Sequence, residues 1–232
     1  MVTKIINADS FNVLDSVLAD VENPVIVTDP PFNVGYHYNT FKDKEPREEY
    51  FKRLAEIGKA CPCVFVHYPE SIVELSMYMG KAPDRIISWV YPSNTARQHR
   101  DIAFYGVKPD FNKVRVPYKN PNDKRVKELM KKTGGARMYD WIEVNQVKNV
   151  SKEKTKHPCQ MPLELMKKIV KLLPEGITVI DPFAGSGTTI LACAYEGISS
   201  IGIEIDSLYA SIAHERIETE LGVAAIYEEM EG

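Results

Sequence analysis

No apolar run in this 232-residue chain approaches the ~20 residues that a membrane-crossing helix needs. The opening stretch, MVTKIINADS, has no basic segment followed by an apolar one, so no secretion signal is read there and a cytoplasmic protein is expected. Cysteine is scarce: Cys61, Cys63, Cys159 and Cys193 are the only four. The pair in ACPCVF is too close for a CxxC zinc knuckle, and no second pair follows, so reduced thiols are expected. His99 and His157 have no partners at ligand spacing, and no metal is expected. An excess of positive charge is missing too. The 29 Lys and Arg stand against 32 Asp and Glu, a net −3 that by itself speaks against a nucleic-acid partner.

The distribution of charge says otherwise. Between Thr95 and Lys156 there are 16 Lys and Arg against 7 Asp and Glu, whereas the remainder has 13 against 25. A basic block inside an acidic protein has two readings, an electrostatic footprint for a polyanion or a solvated surface lobe. With 44% hydrophobic and 26% charged residues, the chain has the makings of one ordinary core.

What is present is strand–helix alternation. VTKIINA, NPVIVTD, CVFVHY and DRIISWVYP read as strands, several of them apolar throughout, as strands buried on both faces are. DSFNVLDSVLAD, PREEYFKRLAEIGKA and PESIVELSMYMGK read as helices. From Ser93 to Cys159 the rhythm breaks into loops, short strands and one helix, NDKRVKELMKK. It then resumes with PLELMKKIVKLL, ITVIDPF, GTTILACAYEG, SSIGIEI and DSLYASIAHERIETEL, where Asp206 is placed as an N-cap. The acidic tail EEMEG reads as frayed. The expectation is a largely parallel α/β sheet interrupted by a basic insertion.

Two strands end on an acid, VIVTDPPF and TVIDPFAGSGTT. In an open α/β sheet, ligands sit beyond the carboxyl ends of the strands where their order reverses. Gly185 and Gly187 permit a sharp turn into a helix, although no Gly-Lys-Ser/Thr and no GxGxxG is present. Glu204, ending the next strand, is placed to accept hydrogen bonds from ribose hydroxyls. Asp29 and the Pro30 carbonyl are two acceptors, and Phe32 is a flat apolar face, in a turn that proline stiffens. Such a turn suits a planar ring with an exocyclic –NH2, whose hydrogens the acceptors would hold. The same four residues also suit an ordinary strand-terminating turn.

Taken together, DPPF, DPFAGSGTT, GIEI and KHPCQMP resemble the amino-methyltransferases that methylate adenine N6 or cytosine N4 in DNA with S-adenosylmethionine. With the DPPF turn first, the basic insertion next and the Gly loop last, the order is similar to the permuted β group of that family. The resemblance implies a Rossmann-like, seven-stranded, mostly parallel sheet with helices on both faces. It implies a catalytic domain of residues 1–92 and 157–232 and a target-recognition region of 93–156. Asp29, Pro30, Pro31 and Phe32 match the catalytic motif. Asp181, Phe183, Ala184, Gly185, Ser186, Gly187 and Thr188 match the cofactor loop, and Glu204 the ribose-binding acid. His157, Pro158 and Gln160 match the segment beside the methionine part of the cofactor, and Asp9 an acid near its adenine. Met161 departs from a common Lys, Phe32 from a commoner Tyr, and Ala8 from a usual Gly.

The implied partner is double-stranded DNA, with the target base rotated out of the helix. Tyr36 and Tyr38, in the loop after DPPF, are either stackers on that base or plain surface tyrosines. Arg97, Arg100 and Arg137 are candidates for phosphate or guanine contacts. Trp89 and Trp141 read as packing residues. In the family it resembles, Asp at the head of the motif leans to adenine N6 and Ser to cytosine N4, so the resemblance implies adenine. An RNA or protein methyltransferase and an inactive DNA-binding relative are the other classes to separate. A homodimer follows only by analogy, and a cognate restriction nuclease or a phage setting is left open.

Overall fold

The computed structural model describes residues 1–36, 40, 43–222 and 224–230. The chain runs β1 (Thr3–Asn7), α1 (Ser10–Ala19), β2 (Pro24–Thr28), α2 (Arg47–Ala60), β3 (Cys63–His67), α3 (Pro69–Met79) and β4 (Arg85–Val90). It continues through β5 (His99–Tyr105), β6 (Arg115–Val116), α4 (Lys124–Thr133), β7 (Ala136–Arg137) and β8 (Trp141–Glu143). Then come α5 (Leu163–Lys171), β9 (Thr178–Asp181), α6 (Thr188–Tyr195), β10 (Ser199–Glu204), α7 (Ser207–Leu221) and β11 (Ile226–Glu229).

Among the described residues nine strands form one sheet in the order β11-β1-β10-β9-β2-β3-β5-β4-β8, two more than the seven expected. β5 alone runs against its neighbours β3 and β4; every other pairing in the sheet is parallel. The extra strands sit at the two edges. β11 includes Glu228 and Glu229 of the tail expected to fray, and it is held because Lys4–Asn7 of β1 offer it a free strand edge. β8 adds to β4 at the other end.

The apolar strands are two-sided, as their composition requires. In β2, Val25 and Val27 belong to one core cluster and Ile26 to another; in β3, Val64 and Val66 oppose Cys63 and Phe65 in the same way. Helices α1, α2 and α3 cover one face and α5 and α6 the other, with α6 and α7 closing over Ile5. Each fully buried aliphatic or Phe side chain contributes roughly 1.5–3 kcal/mol.

The segment 93–156 is less separate than its composition suggests, because β5 and β8 lie in the main sheet. The rest carries the two-stranded β6–β7 ribbon and α4, with Val114 and Met138 packed into the main core. Trp89 is buried and donates its indole N–H to the Val144 carbonyl at 2.8 Å, whereas Trp141 is exposed and stacks near Tyr139.

At Gly202, in the middle of β10, an added Cβ would lie 2.8 Å from both Ala184 Cβ and Ile190 Cγ1. Gly202→Ala is therefore expected to destabilise the fold by about 1–3 kcal/mol through overpacking. Calorimetry should record this as a Tm lowered by about 2–4 °C per kcal/mol.

Candidate active site

The strand order reverses between β2 and β9: from β2 the chain moves on to β3 on one side, and from β9 to β10 on the other. These two strands are direct neighbours, with Val25 opposite Val179 and Ile26 opposite Ile180. Beyond their register, Thr28 Oγ donates to Asp181 Oδ1 at 2.7 Å. Asp181 also accepts from Thr189 Oγ at 2.6 Å and from the Phe183 N–H at 3.1 Å. One buried carboxylate therefore ties the first acid-ended strand to the second, and both to the helix that follows.

A crevice of about 320 Å³ opens at this point. It brings together Asp29, Pro30, Pro31 and Phe32 from one strand end with Asp181, Phe183, Ala184, Gly185, Ser186 and Thr188 from the other. Asp9, Tyr36, Arg100, His157, Gln160 and Glu204 also line it. Pro158, Gly187, Arg97 and Arg137 do not, and Tyr38 lies outside the described residues.

The Gly loop is held from three sides. Gly185 has φ +53°, and its backbone N–H donates to Glu204 Oε2 at 2.8 Å. Glu204 Oε1 accepts from the Asp206 N–H at 2.9 Å. Burial raises the Glu204 carboxyl to about 7 against these two bonds. Gly187, at φ +73°, sits where a Cβ would meet Ala213 at 2.9 Å, so it lets α7 pack closely rather than lining the cavity. Arg216, buried in α7, donates to the Ser186 carbonyl at 3.2 Å and to Thr188 Oγ at 2.8 Å. Asp206 caps α7 as expected, accepting from the Leu208 and Tyr209 N–H groups, and also receives Thr40 Oγ.

Gln160 helps to fold its own segment. It donates to the Glu153 carbonyl at 2.6 Å and accepts from the Thr155 N–H at 2.8 Å. His157 stands edge-on to Tyr209 and against Gly185, and burial lowers its imidazole to about 4. Asp9 caps α1 through the Phe11 N–H. Met161, in the position of the family's common Lys, is buried in the crevice wall with its sulfur 3.9 Å from Arg100 Nη1.

At the DPPF turn, Asp29 is raised to about 7, chiefly by burial, with Arg100 opposing and Asp181 adding to the shift. Its Oδ1 lies 3.7 Å from Arg100 Nη1 and accepts no hydrogen bond among the described residues. Phe32 is stacked on His67 at 4.2 Å and 18°, and the Arg100 guanidinium lies over the same ring at 4.6 Å. A ring stacked that closely leaves no room on its own face, so Arg100 covers the other. Arg100, expected on the basic insertion as a DNA contact, thus stands inside the crevice on β5, with Trp89 also close. Arg97 is exposed, paired with Glu70 at 2.5 Å and lying over Tyr68. Arg137 is exposed on the β6–β7 ribbon opposite Arg115.

Sequence reasoning passed over His67, Tyr50, Asp43 and Arg216. His67 carried the same signal as Asp29, a polar residue closing an apolar strand. Arg216 breaks the apolar stripe formed by Tyr209, Ala213 and Ile217. Asp43 had no sequence signal; its carboxylate collects the N–H groups of Asn33, Val34 and Tyr36 and so folds the loop after DPPF back on itself.

Residues 24–215 match a family model described as DNA methylase. The chain belongs to this family. This DNA methylase is 29% identical over 238 residues to the type II methyltransferase M.HpaI of Haemophilus parainfluenzae, covering 89% of this chain and 72% of that protein. It is 29% identical over 254 residues to the type II methyltransferase M.BglII of Bacillus subtilis, covering 94% and 69%. Among solved structures, the M1.HpyAVI–SAM complex superposes with a TM-score of 0.61 at 24% identity, over 94% of this chain and 99% of that one. The cytosine-N4-specific PvuII DNA methyltransferase superposes with 0.63 at 15%, over 92% and 86%. The likeness to these two structures is one of fold.

Thr28→Val keeps the shape of the side chain and deletes the bond between the two strand ends. It is expected to cost about 1–3 kcal/mol, because a buried carboxylate oxygen loses a donor. Urea unfolding should show a lower midpoint with an unchanged slope.

Proposed function

We propose that this DNA methylase transfers a methyl group from S-adenosylmethionine to the exocyclic amine of a base rotated out of double-stranded DNA, with adenine N6 as the acceptor. The observation that carries this reading is one crevice holding both a Gly loop with a neighbouring ribose-type acid and an acceptor turn with an aromatic face. When bound, S-adenosylmethionine supplies a methyl group on a positively charged sulfur.

The residues fit that cofactor. Gly185 and Glu204 form a backbone turn and carboxylate pair suited to an adenosyl diol, and Glu204 has lone pairs left beside its two backbone donors. Asp9 caps the helix next to the loop, Phe183 supplies an apolar wall and the uncharged His157 ring a flat one. Across the crevice, Asp29 and the Pro30 carbonyl hold the two amine hydrogens. Holding both hydrogens draws the nitrogen towards tetrahedral geometry and frees its lone pair, which is positioning and electrostatic preorganisation rather than covalent catalysis.

Arg100 has a part in this reading. Its guanidinium is planar and rich in N–H, and it rests between Asp29 and Phe32, the two groups the target base would use. A base entering the turn exchanges places with it. The exposed helix α4, with Lys124, Arg125, Lys127, Lys131 and Lys132 against Glu128, and the exposed Arg137 are assigned to the DNA backbone within the recognition region 93–156.

Incubation with labelled cofactor and duplex DNA, RNA or protein, followed by digestion to nucleosides, tests the proposal. N6-methyladenine in DNA is the expected product; N4-methylcytosine would move the acceptor, and label in RNA or protein alone would refute the reading. Asp29→Ala should lower transfer by about a hundredfold or more while cofactor binding stays measurable. Equal loss of both would contradict the role given to Asp29.

Only ionised Asp29 accepts from both sides. Because its carboxyl is raised to about 7, kcat/KM should climb with pH through that value and level off above it. Donors on Glu204 favour its ionised form likewise, so cofactor affinity should weaken as pH falls below about 7, as calorimetric titration would read.

A further inference from the structure

Four torsions decide where the DPPF turn aims its acceptors and its ring. The φ angles of Pro30 and Pro31 are locked by their own rings. The ψ of Pro30 is restricted because a proline follows. That leaves ψ of Pro31 as the soft torsion, and it swings both the Pro31 carbonyl and the whole of Phe32. Two residues outside the crevice lining act on this torsion.

Tyr50, in the first turn of α2, donates its hydroxyl hydrogen to the Pro31 carbonyl at 2.6 Å. His67, closing β3, places Nε2 at 2.8 Å from the same hydroxyl oxygen. Its Nδ1 accepts from the Tyr68 backbone N–H at 2.8 Å. The direction of all three bonds then follows. With Nδ1 an acceptor, the single hydrogen of a neutral imidazole is on Nε2. Nε2–H donates to Tyr50, and Tyr50 donates to Pro31, so no group is left with a donor facing a donor. Burial, reinforced by Arg100, lowers His67 to about 3, so the neutral form is the resident one. The same imidazole is the surface on which Phe32 lies, 4.2 Å away. Among the described residues the Pro30 carbonyl accepts no hydrogen bond, which leaves it for a ligand, while the Pro31 carbonyl is committed to Tyr50.

We propose that His67 and Tyr50 are positioning residues of the methyl transfer: one imidazole sets the plane of Phe32 by stacking and, through the Tyr50 hydroxyl, fixes the Pro31 carbonyl and with it ψ of Pro31, so that the Phe32 ring is held in register with Asp29 and the Pro30 carbonyl. The proposal rests on the function given above. Neither side chain touches the crevice, so the effect is on the rate of transfer and not on the occupancy of either ligand.

The experiment compares the full-length protein with Tyr50→Phe, His67→Leu and His67→Gln. It measures kcat, the KM for duplex DNA, the dissociation constant for S-adenosylmethionine and the thermal midpoint. Tyr50→Phe should lower kcat about 10- to 100-fold, the scale of a small misalignment, with cofactor affinity and DNA KM each within about threefold of the parent. His67→Leu should fall as far. His67→Gln, which keeps an N–H for Tyr50 without the ring, should recover part of the loss. Joining Tyr50→Phe to His67→Leu should add little, because both break one chain of contacts. Nitrogen NMR of the parent should report His67 as the Nε2–H tautomer from about pH 5 to 8.

An active parent whose Tyr50→Phe variant keeps kcat within about threefold overturns the positioning role alone, as does an Nδ1–H or charged His67. Loss of cofactor affinity equal to the loss of kcat overturns it too, since that pattern marks general damage to the fold. A parent that transfers no methyl to DNA overturns the functional reading and this proposal with it.

Discussion

The site exists because one hydrogen bond, from Thr28 to Asp181, fastens together the ends of two strands that are 153 residues apart in sequence. Parallel pairing of β2 with β9 brings the strands side by side, but pairing stops at Ile26 and Ile180, short of the chemistry. The last step is made by side chains. Asp181 is buried and accepts from Thr28, Thr189 and the Phe183 N–H, so its carboxylate works as a fastener. Its charge still matters: together with burial it keeps Asp29 from ionising freely.

A second constraint is that burial disfavours the charged form of the titratable groups in the crevice wall and, at His67, just behind it. Asp29 and Glu204 are both lifted to about 7, while His67 and His157 are pushed towards neutrality at about 3 and 4. Buried acids that retain open acceptor capacity, beside imidazoles that stay uncharged, make a pocket that favours ligands bringing N–H and O–H donors and a positive charge.

Much of this was legible in the residues. Apolar strands closed by Asp29 and Asp181 marked the switch point, and Gly185 with Glu204 marked the loop and its acid, because those signals are local in sequence. The β5 strand was not legible: HRDIAFY follows a Pro- and Asn-rich stretch and opens with charges, so its apolar half was taken with the basic segment. β11 was hidden for a related reason, since Ile226–Glu229 looks polar until β1 offers it an edge. Arg100 was legible as a cation and not as a neighbour of Asp29, because that proximity is made by antiparallel pairing of β5 with β3 and β4. The direction of the His67–Tyr50–Pro31 bonds is a property of three segments meeting, and no single stretch encodes it.

The strand order has a consequence for how the protein is born. Thr3 pairs with Ser200 and Lys4 with Ile226, so β1 leaves the ribosome long before either of its sheet partners has been made. Through most of synthesis this apolar strand has two open edges, a template for pairing with the wrong chain. Lys4, which ends up beside Glu228, puts a charge on that strand while it waits.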